Sequence, residues 1–449
     1  MERVGVPMGG LIAWGVGPLL VISAATISPV AAVTQGTDAV SGRDVTSRIA
    51  PGARVRDITL RVDPARKGIG AWSETWGDNL VFNKNRDGRP DVLLSYHREQ
   101  GWEIWLGNGR GGFTFDRALR RTDRHNCAAA DFGGPRHTRP DGRIDLYCVR
   151  GARTGTLDNK KNALLIQRAG GGFVNEVDAW GAADPSGRGR TVSILNIRGD
   201  GRPSLFLGDA KSVNFPSLDR IFENVGKRFR PRSTGGLPSE QGTLCSSTGD
   251  FDHDGRQDFL SCSRSLRLYR NLTTAGGSVS YRQVATHEGL PTGRRADAGL
   301  VDLNRDGWRD LVIVSNHAVE VRLNRQQTPH FSQVDFSFPL TAGTSFCSGH
   351  ANGDAATDLL VVQGLESRTD RRQKRDWMLI NRGGGKRFTA LPVPQPPFKN
   401  GRNGFGDTCS AIPHFAGKRA AWTINNGRPT YGPVPRHHRG YRQLVILTR

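Results

Sequence analysis

Residues 249–258 read GDFDHDGRQD, and weaker copies of this stretch recur through most of the chain. Asp250, Asp252, Asp254 and Asp258 set four carboxylates around Gly255, the way a short loop gathers hard oxygen ligands for Ca²⁺. Without a cation, like charges at this spacing repel one another. The stretch therefore constrains both the metal chemistry and, through its repetition, the fold.

The first copy runs from Asn83 through Asn85 and Asp87-Gly88 to Asp91, and Val92-Leu93-Leu94 follow. The second starts at Asp131, carries an insertion over 133–140, and resumes as Asp141-Gly142-Arg143-Ile144-Asp145. A worn third copy has Asn196, Arg198, Asp200-Gly201 and Ser204. The fifth is Asp302, Asn304, Asp306-Gly307 and Asp310, and the sixth is His350, Asn352, Asp354 and Asp358. A seventh unit, around His414 to Trp422, keeps Cys409-Ser410 and the following strand but has no carboxylate. The loops start at 83, 131, 196, 250, 302 and 350, that is 48 to 65 residues apart, the spacing of propeller blades or solenoid units. Between loops a short apolar strand, a Gly or Asn and then an aromatic return, as in Leu379-Ile380-Asn381 with Phe388. Strands before and after each loop, then two more joined by a Gly-rich turn, make four antiparallel strands per unit. Repeated seven times, they predict an all-β, seven-bladed β-propeller with calcium loops between the first two strands of several blades. The 57 glycines and 36% hydrophobic content suit a turn-rich β protein.

The DxDxDGxxD loop followed by an aliphatic strand resembles the FG-GAP or VCBS repeat family, whose known fold relative is the propeller of integrin α subunits. The resemblance covers the chain from about Ala71 onward and is closest at the loops beginning at Asp250 and Asp302. It implies a calcium-bearing propeller used outside the cell for adhesion or recognition.

Loop chemistry assigns ligands residue by residue, with the Gly at the sixth place turning the backbone. Asp250, Asp252, Asp254 and Asp258 serve with the Arg256 carbonyl; Asp302, Asn304, Asp306 and Asp310 serve with that of Trp308. Asn83, Asn85, Asp87 and Asp91 form a less charged set, and Asp131, Asp141 and Asp145 another. In the sixth loop Asn352, Asp354 and Asp358 remain, but His350 is a poor hard-cation ligand and Ala355 replaces the Gly. The alternative is that these are polar turns, in which Asp, Asn and Gly are common.

Six cysteines suit an oxidising compartment. Cys127 and Cys148 flank one loop, and Cys245 and Cys262 another, so each pair can bridge two adjacent strands. Cys347 and Cys409 are left to pair across neighbouring units. Residues 1–32 read as a secretion signal: Arg3 precedes an uncharged apolar stretch, and Val30-Ala31-Ala32 offers small residues for cleavage. An uncleaved membrane anchor is the alternative. Residues 33–54 form a polar linker, and 55–449 form the propeller. The last unit ends on Leu444-Val445-Ile446-Leu447 one strand short, so the isolated strand at 55–62 is expected to close the last blade.

The formal net charge of +21 favours acidic polymers. The densest basic run, Arg371-Arg372-Gln373-Lys374-Arg375, has no interleaved aromatics, so no specific nucleic-acid partner is expected. Arg198-Gly199-Asp200 falls inside a worn loop and reads as coincidence. Trp72, Trp76, Trp102 and Trp105 read as blade packing rather than sugar platforms, and His437-His438 as a solvated pair. There is no HExxH, GxSxG or GxxxxGK[ST] motif and no catalytic residue to name. The sequence thus predicts a secreted, monomeric, calcium-binding recognition or adhesion module for an acidic glycan, a cell-envelope polymer or a protein. Its alternatives are a polysaccharide lyase and a scaffold docking another secreted protein.

Overall fold

The computed structural model describes residues 54–58, 79–94, 102–119, 124–133, 140–151, 161–210, 218–232, 242–262, 265–293, 296–364, 375–393, 405–416, 419–427 and 441–448. The expectations for the signal, most of the linker, Trp72, Trp76, residues 371–374 and His437-His438 lie outside them.

All regular elements among the described residues are strands, and they form four-stranded antiparallel sheets in a propeller arrangement. Six sheets each take four consecutive strands. Blade 1 is Leu80–Phe82, Asp91–Leu94, Trp102–Gly107 and Phe113–Leu119, and blade 2 is Arg124–Ala130, Asp145–Arg150, Ala163–Gln167 and Phe173–Asn175. Blade 3 is Gly189–Leu195, Ser204–Asp209, Arg220–Asn224 and Phe229–Arg232, and blade 4 is Cys245–Gly249, Asp258–Cys262, Leu266–Asn271 and Tyr281–Gln283. Blade 5 is Asp297–Val301, Asp310–Val314, Ala318–Arg322 and Phe336–Pro339, and blade 6 is Gly343–Gly349, Asp358–Gln363, Trp377–Asn381 and Phe388–Pro392. The continuous chain thus supplies six blades where seven were expected.

One further four-stranded sheet is composite: Phe405–Ala416, Arg419–Gly427 and Tyr441–Thr448 are joined by Arg54–Ile58. That strand runs antiparallel to Tyr441–Thr448, with Arg54 opposite Thr448 and Ile58 opposite Leu444. It starts one residue before the stretch expected at 55–62, and 59–62 lie outside the described residues.

Every second strand of blades 2 to 6 is buried along its whole length. A strand inside a blade is covered on both faces by neighbouring blades, so the sequence reads there as an apolar run, not an alternation. Apolar clusters lie between successive sheets. Phe82, Leu93 and Ile104 of blade 1 pack with Cys127, Leu146 and Cys148 of blade 2. On the other side of blade 1, Val92, Leu94 and Trp105 pack with Ile412, Phe415 and Ala421 of the composite sheet. Asn79, Ser410, Thr423 and Asn425 add buried hydrogen bonds across that junction.

Three disulfides join Cys127 to Cys148, Cys245 to Cys262, and Cys347 to Cys409. The first two link residues directly opposite on paired strands. The third ties blade 6 to the composite sheet. No helix among the described residues is long and apolar enough to cross a membrane.

Candidate metal centre

The loop between the first and second strand has nine positions in blades 1 and 3 to 6 and carries the insertion at 133–140 in blade 2, and its last position, the ninth of the repeat, opens the second strand. That register turns the ninth side chain into the sheet. Asp91, Asp145, Asp258, Asp310 and Asp358 are buried there. One oxygen of each accepts a loop N–H, from Lys84 (2.7 Å), Phe132 (3.0 Å), Phe251 (3.1 Å), Leu303 (2.8 Å) and Ala351 (2.7 Å). The other accepts an N–H at the end of the third strand, from Gly107, Gln167, Asn271, Asn324 and Asn381 at 2.8–2.9 Å. In the worn third loop Ser204 keeps the second of these bonds, to Asn224. Burial pushes these carboxyls up, to about 6 for Asp91, about 7 for Asp310 and about 8 for Asp145, Asp258 and Asp358. The ninth aspartates, assigned as ligands from the sequence, thus act as clamps between three stretches of backbone.

The Asn that receives this clamp was missed as a functional residue. Asn324 Nδ2 donates to Phe251 O in the preceding blade (2.8 Å) and to Arg309 O in its own (3.0 Å). Asn271 does the same with Ile197 O and Gln257 O, and Asn381 with Leu303 O and Thr357 O. Gln167 reaches Lys84 O in blade 1. The signal was the Asn recurring after each aliphatic strand, which a reading by turn chemistry treats as a local residue only.

Positions one, three and five are where a cation could sit. In blade 4, Asp250, Asp252 and Asp254 bring carboxylate oxygens within 4.8 Å of one another. Asp250 accepts N–H bonds from Asp254 (3.1 Å) and Gly255 (2.9 Å), and Asp254 accepts one from Arg256 (2.9 Å). Asp252 is different: its side chain is 6% exposed, yet neither oxygen accepts a hydrogen bond. Burial and the charge of Asp254 raise its pKa. Arg270 Nε lies 2.5 Å from an Asp252 oxygen without hydrogen-bond alignment, and its Nη2 reaches Asp254 at 3.3 Å. Arg256 also pairs with Asp254. Gly255 adopts φ +81°, where a Cβ would be strained. A hard cation fits this donor set in chemistry, since three carboxylates converge there and the Asp252 oxygens accept no hydrogen bond, but the positive charge now beside them is that of Arg270.

In blade 5, Asp302 accepts N–H bonds from Arg305 (2.6 Å) and Gly307 (3.1 Å). Asp306 accepts from Trp308 N and from the amides of Asn304 and Gln326. Among the described residues no arginine side chain contacts these two carboxylates. Asn83, Asn85 and Asp87 form a similar turn in blade 1, and Asn83 Oδ1 is buried without a hydrogen bond. In blade 2 the insertion does not separate the acids: Asp141 N and Gly142 N both donate to Asp131, and Arg143 caps Asp141. In blade 6, Asn352 and Asp354 bond each other, and His350 Nδ1 lies 2.9 Å from Ala356 O. An imidazole thereby holds the seventh carbonyl, one of the oxygens a calcium loop offers its ion.

The two strand connections at this end of each blade, from first to second and from third to fourth, lie on one face because the four strands run up and down in turn. Arg86, Arg110, Lys227, Arg228, Arg305, Lys386 and Arg387 are exposed on it, and none forms an ion pair among the described residues. Arg198 of the Arg-Gly-Asp tripeptide is folded onto Glu223 at 2.5 Å. Trp102 and Trp105 are buried in blade 1.

No family model matches the chain. Human cartilage acidic protein 1 is 26% identical over 182 residues, which are 38% of this chain. The chain spans about a quarter of that relative's length (25%). The solved structure of BBS1N in complex with ARL6DN, soaked with lead, aligns with a TM-score of 0.47 and 9% identity over 84% of this chain and 93% of that one. That likeness is too distant to bear on function.

Proposed function

We propose that this chain is a secreted recognition or adhesion module of the FG-GAP/VCBS type. Its acidic loops hold Ca²⁺, and its loop-bearing face binds an acidic glycan or cell-envelope polymer without catalysis. The composite sheet is read as the seventh blade, which closes the ring and leaves no open edge. Calcium would stiffen the loops at 250–258 and 302–310 by neutralising carboxylates that otherwise repel one another. Three disulfides support an oxidising compartment.

The observation that carries the ligand class is the set of exposed cations on one face, Arg86, Arg110, Lys227, Arg228, Arg305, Lys386 and Arg387, with no internal partners among the described residues. A face of this kind attracts polyanions and steers their approach. The test is retention of the full chain on immobilised neutral and acidic polysaccharides, with Ca²⁺ and with chelator. Retention on the acidic members at moderate salt, weakened by Arg86→Glu with Arg305→Glu, supports the reading. Equal retention on neutral polymers, or none on any, overturns it and directs the search to a protein partner.

A further inference from the structure

The residue just before the strand-ending Asn faces the third position of the same blade's loop, and in two adjacent blades this pair is ionic with the signs exchanged. In blade 3 the loop residue is Arg198 and its partner is Glu223, 2.5 Å apart, with Arg232 also on Glu223. In blade 4 the loop residue is Asp252 and its partner is Arg270, also 2.5 Å apart. In blades 5 and 6 the equivalent partners are Leu323 and Ile380, both buried and apolar.

Blade 3 shows what the exchange does. A guanidinium stands where a cation loop places its second carboxylate, and it is neutralised by Glu223, whose pKa is lowered because, against the opposing effect of burial, hydrogen bonds from Arg198 and Arg232 favour the charged form. That loop closes with an internal cation. Blade 4 keeps all three carboxylates, yet Arg270 reaches two of them, Asp252 at 2.5 Å and Asp254 at 3.3 Å. A guanidinium against these oxygens occupies the charge, though not the coordination geometry, that a divalent ion requires.

We propose that Arg270 is the resident counter-ion of loop 250–258 and that Ca²⁺ enters this loop only by displacing it, so blade 4 is a weakened site beside the loop of blade 5, whose Asp302 and Asp306 meet no arginine side chain among the described residues. The proposal rests on the calcium reading above and deepens it. Two things oppose calcium here and are absent in blade 5: the ion pair that must be broken, and repulsion between the displaced guanidinium and the ion.

The experiment is a calorimetric Ca²⁺ titration of the full chain in a background carrying Asp302→Asn and Asp306→Asn, which removes the blade 5 carboxylates. Arg270→Met keeps the aliphatic stem and removes the charge. Its expected effect is an affinity at least about tenfold higher than that of the Arg270 background, lost again when Asp252→Asn is added. Equal or weaker binding by Arg270→Met, while Asp252→Asn still lowers the affinity of the Arg270 background, overturns the counter-ion role and leaves calcium binding standing. No binding in any variant at millimolar Ca²⁺ overturns both.

Discussion

Replacing Asn324 by Ala removes a bridge that holds blade 5 to blade 4 in the loop layer. The Asn324 amide donates to Phe251 O at 2.8 Å and Arg309 O at 3.0 Å, and its oxygen accepts Gln326 N at 2.8 Å. The residue is 5% exposed, so water does not take over the two carbonyls. Each buried group left unpaired costs roughly 1–3 kcal/mol. Gln326 is exposed and can bond to solvent, which leaves the two carbonyls to count and an expected loss of about 2–6 kcal/mol. Urea unfolding followed by tryptophan fluorescence reads this as a lower midpoint. Asn324→Asp should cost at least as much, because it sets a second acceptor against the same carbonyls. A loss below about 0.5 kcal/mol for Asn324→Ala would refute the claim that these amides staple the blades.

Three other changes have defined outcomes. Burial lifts the Asp376 carboxyl from 3.8 to about 7 while its oxygen accepts Gln363 N at 2.8 Å. The folded chain then keeps a proton that the unfolded chain releases above about pH 4, so stability falls as pH rises from there through about 7, by at most about 4 kcal/mol. Asp376→Asn, which keeps the acceptor as Asn162 does for Arg150 N in blade 2, should make denaturation curves across pH shallower by that amount, the other buried aspartates keeping their share of the slope. Removing the Cys347–Cys409 bridge, with its sequence separation of 62, should cost about 4 kcal/mol, against about 3 for Cys245–Cys262 with 17. Paired serine variants in urea test the order, and a larger loss at the shorter loop would contradict it. Gly307→Ala meets no atom within 4 Å but sits at φ +86°, so a backbone cost of about 1–2 kcal/mol is expected, and an unchanged midpoint would argue against the turn.

The blade architecture was legible because copies of the acidic loop, though worn in the third unit, punctuate six units and the strand after each is an unbroken apolar run, as at Leu311-Val312-Ile313-Val314. The cysteine pairs were legible because two of them flank loops that hold their strands side by side. Asp258 and its equivalents were read as ligands; that each also ties loop to strand through two backbone N–H bonds was not legible, because the strand register decides which way such a side chain points. The pairing of Asp252 with Arg270, and of Arg198 with Glu223, was not legible, because those partners lie 18 and 25 residues apart and meet only across a blade. The inter-blade bridges of Asn271, Asn324 and Asn381 span 73 to 78 residues, and no local pattern encodes a contact of that range.

The proposed function depends most on the loops at 250–258 and 302–310 being seats for a divalent cation. Thermal unfolding of the full chain in millimolar Ca²⁺ and in chelator tests this directly. Calcium at ten times its Kd should stabilise the fold by about 1.4 kcal/mol per occupied loop, raising the midpoint in the native chain and less so in Asp306→Asn. Identical midpoints with and without calcium would contradict calcium binding by these loops.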